Sequence, residues 1–133
     1  MNLPEMRIWI STEANLARSI VASRKMAESA GLQANQVALV ATAVSELARN
    51  IIKYAHHGEV ILRYITHGPK QGIEVVAWDH GPGIECVESA MSDHHSTGGT
   101  LGLGLPGVKR LMDEFELESE LGKGTRITVR KWK

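Results

Sequence analysis

Residues 43–51 read AVSELARNI, and this stretch, with the apolar positions on either side of it, decides the architecture. Val37, Val40, Val44, Leu47, Ile51 and Ile52 recur at helical spacing and make one broad apolar face. A helix beginning near Gln33 to Asn35 and stopping around His57-Gly58 carries them. Glu46 and Asn50 stand four positions apart, so they are neighbours on that helix, while Leu47 and Ile51 point toward a core. Such a pair is either an ordinary surface feature of an amphipathic helix or two polar groups offered to a ligand.

Working outward, residues 7–10 alternate polar and apolar as a short edge strand does. Ser11, Thr12 and Glu13 look like a helix start, with Leu16, Ile20, Val21 and Ala27 as its stripe and Gly31 as its end. Downstream, residues 60–65 and 73–78 are β-rich and flank a turn at 67–72, which reads as an antiparallel hairpin. Residues 84–91 fit a short helix, and 92–104, rich in glycine, serine, threonine and histidine, read as a mobile loop. Leu105-Pro106 opens a further helix, proline being tolerated in a first turn, with Val108, Leu111, Met112 and Phe115 as its buried stripe. Residues 116–121 and 126–132 close the chain as a hairpin around Gly122-Lys123-Gly124. The order βααββ, loop, αββ predicts an α+β fold, a two-layer sandwich with helices on one face of one sheet.

The bulk properties set limits on function. At 133 residues the chain has room for one compact domain, expected over 1–133. Fifteen basic residues balance 15 acidic ones, which argues against a nucleic-acid surface. Cys86 is the lone cysteine and leaves no internal disulfide, in keeping with a reducing, cytoplasmic setting. No apolar run approaches the roughly 20 residues of a membrane helix, so no membrane partner is expected. Zinc at His56-His57 or His94-His95 is a poor reading, because adjacent histidines splay apart and no cysteine cluster supports them.

Two further segments carry chemistry. Asp79-His80-Gly81-Pro82-Gly83 follows a strand directly. It is either a tight turn or an acceptor, Asp79, for the exocyclic amine of a buried base, with Gly81 and Gly83 letting the backbone lie against that base. Residues 98–107 hold five glycines in ten positions immediately before a helix, which suits amides wrapped around phosphate oxygens.

These segments resemble those of the GHKL, or Bergerat-fold, ATPases. Glu46-x-x-x-Asn50 is similar to the N box, Asp79-x-Gly81-x-Gly83 to the G1 box, Gly102-x-Gly104 to the G2 box, and Gly124-Thr125 to the late Gly-Thr element. AVSELARNI and, over 102–115, GLGLPGVKRLMDEF are closer still to bacterial switch kinases of the RsbT type. The resemblance implies a mixed, mostly antiparallel sheet, with ATP and Mg²⁺ as cofactors. It implies Asn50 as the metal ligand and Glu46 as the general base toward an attacking hydroxyl. Asp79 would read adenine with help from Thr125, and Thr100, Gly102, Leu103, Gly104 and Gly107 would belong to the phosphate lid. Lys53 and Lys109 are candidates for a phosphate contact or simply solvated residues.

Thr100-Leu101 replaces the Gly-Thr of sensor histidine kinases, and no Arg or Lys lies between His80 and Val108. All six histidines follow Asn50, which leaves an outside protein as the phosphoryl acceptor. The resemblance thus implies a serine/threonine protein kinase of a partner-switching, stressosome-like module. Its partners would be a STAS-domain antagonist as substrate and a PP2C-type phosphatase activated by binding. The rival reading is a non-catalytic ATP-binding anti-sigma factor or co-activator that works by contact alone.

Overall fold

The structure, a computed structural model, describes residues 5–83, 91 and 104–133. Strand β1 (Glu5–Ile10) is followed by α1 (Glu13–Ser29) and α2 (Ala34–Asn50), which runs on into a π-helical turn at Ile51–Ala55. Then come β2 (Gly58–His67), β3 (Lys70–Asp79), α3 (Gly104–Leu111), β4 (Glu114–Glu120) and β5 (Gly124–Trp132). The five strands lie in the order β1-β2-β3-β5-β4, and all four pairings are antiparallel, so nothing in the described sheet is mixed.

Local chemistry explains the element ends. Thr12 caps α1: its hydroxyl accepts from the Asn15 amide at 3.1 Å, and Asn15 Oδ1 accepts from the Thr12 amide at 3.2 Å. Gln36 likewise accepts from the Gln33 amide at 2.9 Å and donates to the Trp132 carbonyl at 2.8 Å, tying the start of α2 to the last strand. At the C-terminal end of α3, the buried Lys131 ammonium donates to the Leu111 carbonyl at 2.9 Å, where a cation complements the helix dipole.

Alternation does the rest. Ile8, Val60, Leu62, Val75, Ala77, Ile127 and Val129 face inward and pack with Val40, Val44, Leu47 and Val108 of the helices. Burying a Val or Leu side chain of this kind is worth ~1.5–3 kcal/mol. In α1 the buried line differs from the expected stripe. Val21 is 53% exposed, whereas Ser19 and Ser23 enter the core with their hydroxyls donating to the Leu16 and Ile20 carbonyls. Phe115 belongs to β4 rather than to the last helix, because the Asp113 amide already donates to the Arg130 carbonyl and starts the β4–β5 ladder. Lys70, Gln71 and Gly72 are paired with β2, so the expected turn shortens to Gly68-Pro69. The expected short helix at 84–90 and the loop at 92–103 lie outside the described residues.

The outer face carries one row of alternating charge across all five strands: Glu5, Arg63, Glu74, Arg130, Glu114. Glu74 is buried between two guanidiniums, with Arg63 Nη2 at 2.6 Å and Arg130 Nε at 2.8 Å. The Trp132 indole N–H donates to Glu114, and this contact, helped by Arg130 against a smaller opposing effect of burial, holds the Glu114 carboxyl below its ordinary 4.5.

Two measurements follow from this row. Glu74→Gln leaves two arginines around an uncharged amide and is expected to lower the unfolding free energy by about 2–3 kcal/mol in urea titrations. That is just below the buried-pair range of about 3–5 kcal/mol because Arg63 is partly exposed; a loss under ~0.5 kcal/mol would mean the row acts as ordinary surface charge. For Glu114 the folded-state value is depressed, so its contribution is complete above pH 4.5 and disappears as pH falls through the lowered value. Thermal unfolding of Trp132→Phe across the acid limb is expected to lose that part of the pH dependence.

Candidate functional site

Along β3 and β5 the inner face changes character at one end. Ala77, Ile127 and Leu117 form an apolar row, and the next row is Asp79, Thr125 and Ser119, paired strand to strand. On its other side Asp79 pairs with Gly58, where the chain enters β2 from the π turn. The last turn of α2 and the polar end of the sheet therefore lie at one end of the molecule.

The loop after Asp79 is held by backbone proximity. A Cβ on Gly81 would sit 2.6 Å from the Ala55 Cβ, so the loop lies directly against the π turn. Gly83 has φ +78°, and a Cβ there would sit 2.4 Å from the Glu120 carbonyl oxygen. Its neighbour Pro82 accepts from the Gly122 amide at 2.8 Å, which fixes the loop to the β4–β5 turn. Within the loop the Gly81 amide donates to Asp79 Oδ1 at 2.9 Å and sets the rotation of the carboxylate. Asp79 is half-buried, as is Thr125, whose hydroxyl lies 3.0 Å from that of Ser119.

Glu46 and Asn50 are both half-buried in the last turns of α2, flanking the line of Leu47 and Ile51, which are 1% and 2% exposed. Asn50 is the final α-helical residue before the hydrogen bonding widens to the π pattern at Ile51. Single π turns recur at functional sites, and this one ends at His56, a non-glycine residue at φ +70°. Lys53 is exposed, with its ammonium 5.2 Å from the centre of the Tyr54 ring. In α3, Gly104 (φ +66°) forms the first residue, Gly107 is buried and Lys109 is exposed. Thr100, Gly102 and Leu103 lie outside the described residues.

The structure thus brings Asp79, Gly81, Gly83 and Thr125 together at one end of β3 and β5, and packs against the same loop the π turn that follows Glu46 and Asn50 in α2. Ser119 belongs with them and escaped the sequence reading. The signal was there: positions 115, 117 and 119 alternate inward, and the third is a hydroxyl where Phe115 and Leu117 are apolar. Among the described residues no group of three or more His, Cys, Asp or Glu could hold a metal. A lone amide oxygen at Asn50 suits Mg²⁺, which takes few protein ligands and completes its shell with phosphates and water. A fixed carboxylate next to a hydroxyl suits the amino edge of adenine.

The arrangement defines an α+β ATPase domain of the Bergerat type. Comparison with known proteins agrees. A family model described as the histidine kinase-like ATPase domain matches residues 11–131. The chain is 44% identical over 125 residues to the serine/threonine-protein kinase RsbT of Bacillus subtilis, covering 94% of each. It is 33% identical over 128 residues to an anti-sigma F factor of a Thermoanaerobacter species, covering 92% of this chain and 87% of that one. Among solved structures, that of the RsbU and RsbW domains of a Mycobacterium tuberculosis protein superposes with a TM-score of 0.61 at 18% identity, over 96% of this chain and 31% of the other. The chain belongs to the histidine kinase-like ATPase domain family. Within it, the resemblance over nearly its whole length places the chain with the serine/threonine protein kinases of the RsbT type.

Gly81→Ala tests the loop geometry. The added methyl must push the loop off Ala55 and shift Asp79. The stabilisation by saturating Mg-ATP in thermal unfolding is expected to disappear or fall to less than about a third, while the unliganded protein still unfolds cooperatively.

Proposed function

We propose that this chain is an ATP-dependent serine/threonine kinase that phosphorylates a STAS-domain antagonist protein in a cytoplasmic bacterial partner-switching module. We further propose that, once released, it binds and activates a PP2C-type phosphatase. The observation that supports the catalytic half is the half-buried pair Glu46 and Asn50, aligned on one side of α2 just before the π turn that packs against the Asp79 loop. The likeness to a serine/threonine kinase and to anti-sigma factors supports the switching half. No helix among the described residues is long and apolar enough to cross a membrane.

In this reading each residue has a limited task. Asp79, its carboxylate rotation set by Gly81, accepts from the adenine amine, with Thr125 beside it. Asn50 offers its amide oxygen to Mg²⁺, which when bound neutralises charge on the triphosphate. Thr100, Gly102, Leu103, Gly104 and Gly107 serve the phosphates, as amides at the start of a helix can, and Lys53 or Lys109 supplies a cation. Glu46 takes the proton of the attacking hydroxyl, a group almost wholly un-ionised at neutral pH. Phosphoryl transfer needs little covalent help beyond that, so alignment and charge neutralisation carry most of it. The phosphate delivered to the partner brings about −1.5 to −2 charges into a packed interface, enough to separate the two proteins by repulsion and desolvation.

To check this, the protein is incubated with Mg-ATP and a cognate STAS protein, and phosphoserine or phosphothreonine is followed by mass spectrometry. Glu46→Ala is expected to slow transfer by about 10²–10⁴-fold with ATP affinity nearly unchanged. Undiminished transfer by that variant removes the base assignment. Partner binding without ADP formation in single-turnover assays favours the rival, an ATP-binding anti-sigma factor or co-activator that acts by contact.

A further inference from the structure

We propose that Arg49 selects the phosphoryl acceptor, its guanidinium receiving a carboxylate that the acceptor protein carries close to the hydroxyl to be phosphorylated. The proposal deepens the kinase reading and rests on the roles given there to Glu46 and Asn50.

The helix sets the order of the groups. At 3.6 residues per turn, Asn50 lies about 40° to one side of Glu46 and Arg49 about 60° to the other. Glu46 therefore stands between them, and all three are half-buried in the last turns of α2. Arg49 Nη1 is 3.8 Å from Oε1 of Glu13, the first residue of α1. The arginine thus leans toward α1, and Asn50 lies on the side of Glu46 away from it.

Phosphoryl transfer makes these two sides unequal. The acceptor oxygen forms its bond to the γ-phosphorus as the bond to the β–γ bridging oxygen breaks, the proton passing to Glu46 and ADP leaving. Attack and departure are roughly in line, so the acceptor arrives from the side opposite ADP. With the metal and triphosphate on the Asn50 side, the acceptor chain reaches Glu46 from the Arg49 side.

Arg49 is available for that contact. A separation of 3.8 Å is too long for a hydrogen bond, and the Glu13 side chain is 75% exposed, so the pair is loose. Among the described residues the Arg49 guanidinium makes no hydrogen bond, and Glu46 has neither a hydrogen bond nor an ion pair. Five N–H donors in a planar fork suit a carboxylate gripped by two of them. Glu13 is then a weak competitor for the incoming group. The competing assignment, Arg49 on the γ-phosphate, acts on kcat rather than on the KM of the acceptor.

The cognate STAS protein with Mg-ATP is the probe. Its kcat and KM are measured with wild type, Arg49→Ala, Arg49→Lys, Arg49→Glu and Glu13→Gln, alongside calorimetry with Mg-ATP alone. Arg49→Ala is expected to raise the acceptor KM by about tenfold, with kcat and ATP affinity little changed. Arg49→Lys keeps the charge without the fork and recovers part of the loss, and Glu13→Gln lowers the KM. Each Asp or Glu flanking the phosphorylated residue of the acceptor is then changed to Lys. One such variant is expected to be a poor substrate for wild type and to be restored by Arg49→Glu. A fall in kcat at unchanged acceptor KM, weaker ATP binding, wild-type kinetics, or a raised KM that no acceptor variant offsets overturns the proposal. A wild type that forms no phosphoprotein, or full transfer by Glu46→Ala, removes the kinase reading itself and the proposal with it. A loose, exposed pair adds little to stability, so the variants are expected to unfold thermally as wild type does.

Discussion

Strand β3 is buried on both sides, and that constraint organises the molecule. Val75 on its inner face and Val76 on its outer face are 0% and 1% exposed, although helices cover only the inner one among the described elements. The outer side is closed instead by long side chains from neighbouring strands, Arg63 and Arg130 converging on Glu74. A carboxylate buried alone would be expensive, and two guanidiniums held by strand register offset that. The same register determines where the apolar inner rows stop and the polar row of Asp79, Thr125 and Ser119 begins.

Much of this was legible in the order of residues because it depends on periodicity. The apolar stripe of α2, the hairpin of β2 and β3 and the Glu46–Asn50 alignment each follow from spacing within one element. The features that escaped depend on what another element contributes. Ser19 and Ser23 pass as core residues because their hydroxyls bond within the helix, which displaces Val21 to the surface. Phe115 has helical spacing after Val108 and Leu111, but the pairing of Asp113 with Arg130 and Trp132 stops the helix first. Ser119 becomes meaningful only when β5 places Gly124 and Thr125 beside it.

The site is built from backbone more than from side chains. Gly81 against Ala55 and Gly83 against Glu120 are contacts in which no Cβ fits, so the Asp79 loop is wedged between the π turn and the β4–β5 turn. Wedging of this kind fixes a carboxylate with no salt-bridge partner among the described residues, one that would compete with a ligand for the same oxygens. It also explains why the glycines of this loop could be located by composition, whereas the surfaces they touch could not.

The π turn links the two halves of the site. Up to Asn50 the helix keeps regular phase, which is what sets Glu46 and Asn50 on one side. The chain must then reverse into β2 and bring Gly58 beside Asp79, where a Cβ on Gly58 would collide with both Ile51 and the Trp78 carbonyl. An α-helical ending leaves no extra residue to absorb that reversal; a π turn adds one, and the strain at His56 marks where it is released. The position of the widened turn, immediately after Asn50 and before Ala55 meets Gly81, means that shifting it by one residue would rotate Asn50 off the Glu46 side or lift the loop from the helix. Alignment of the two polar groups on α2 and fixation of the carboxylate on β3 are therefore one geometric condition.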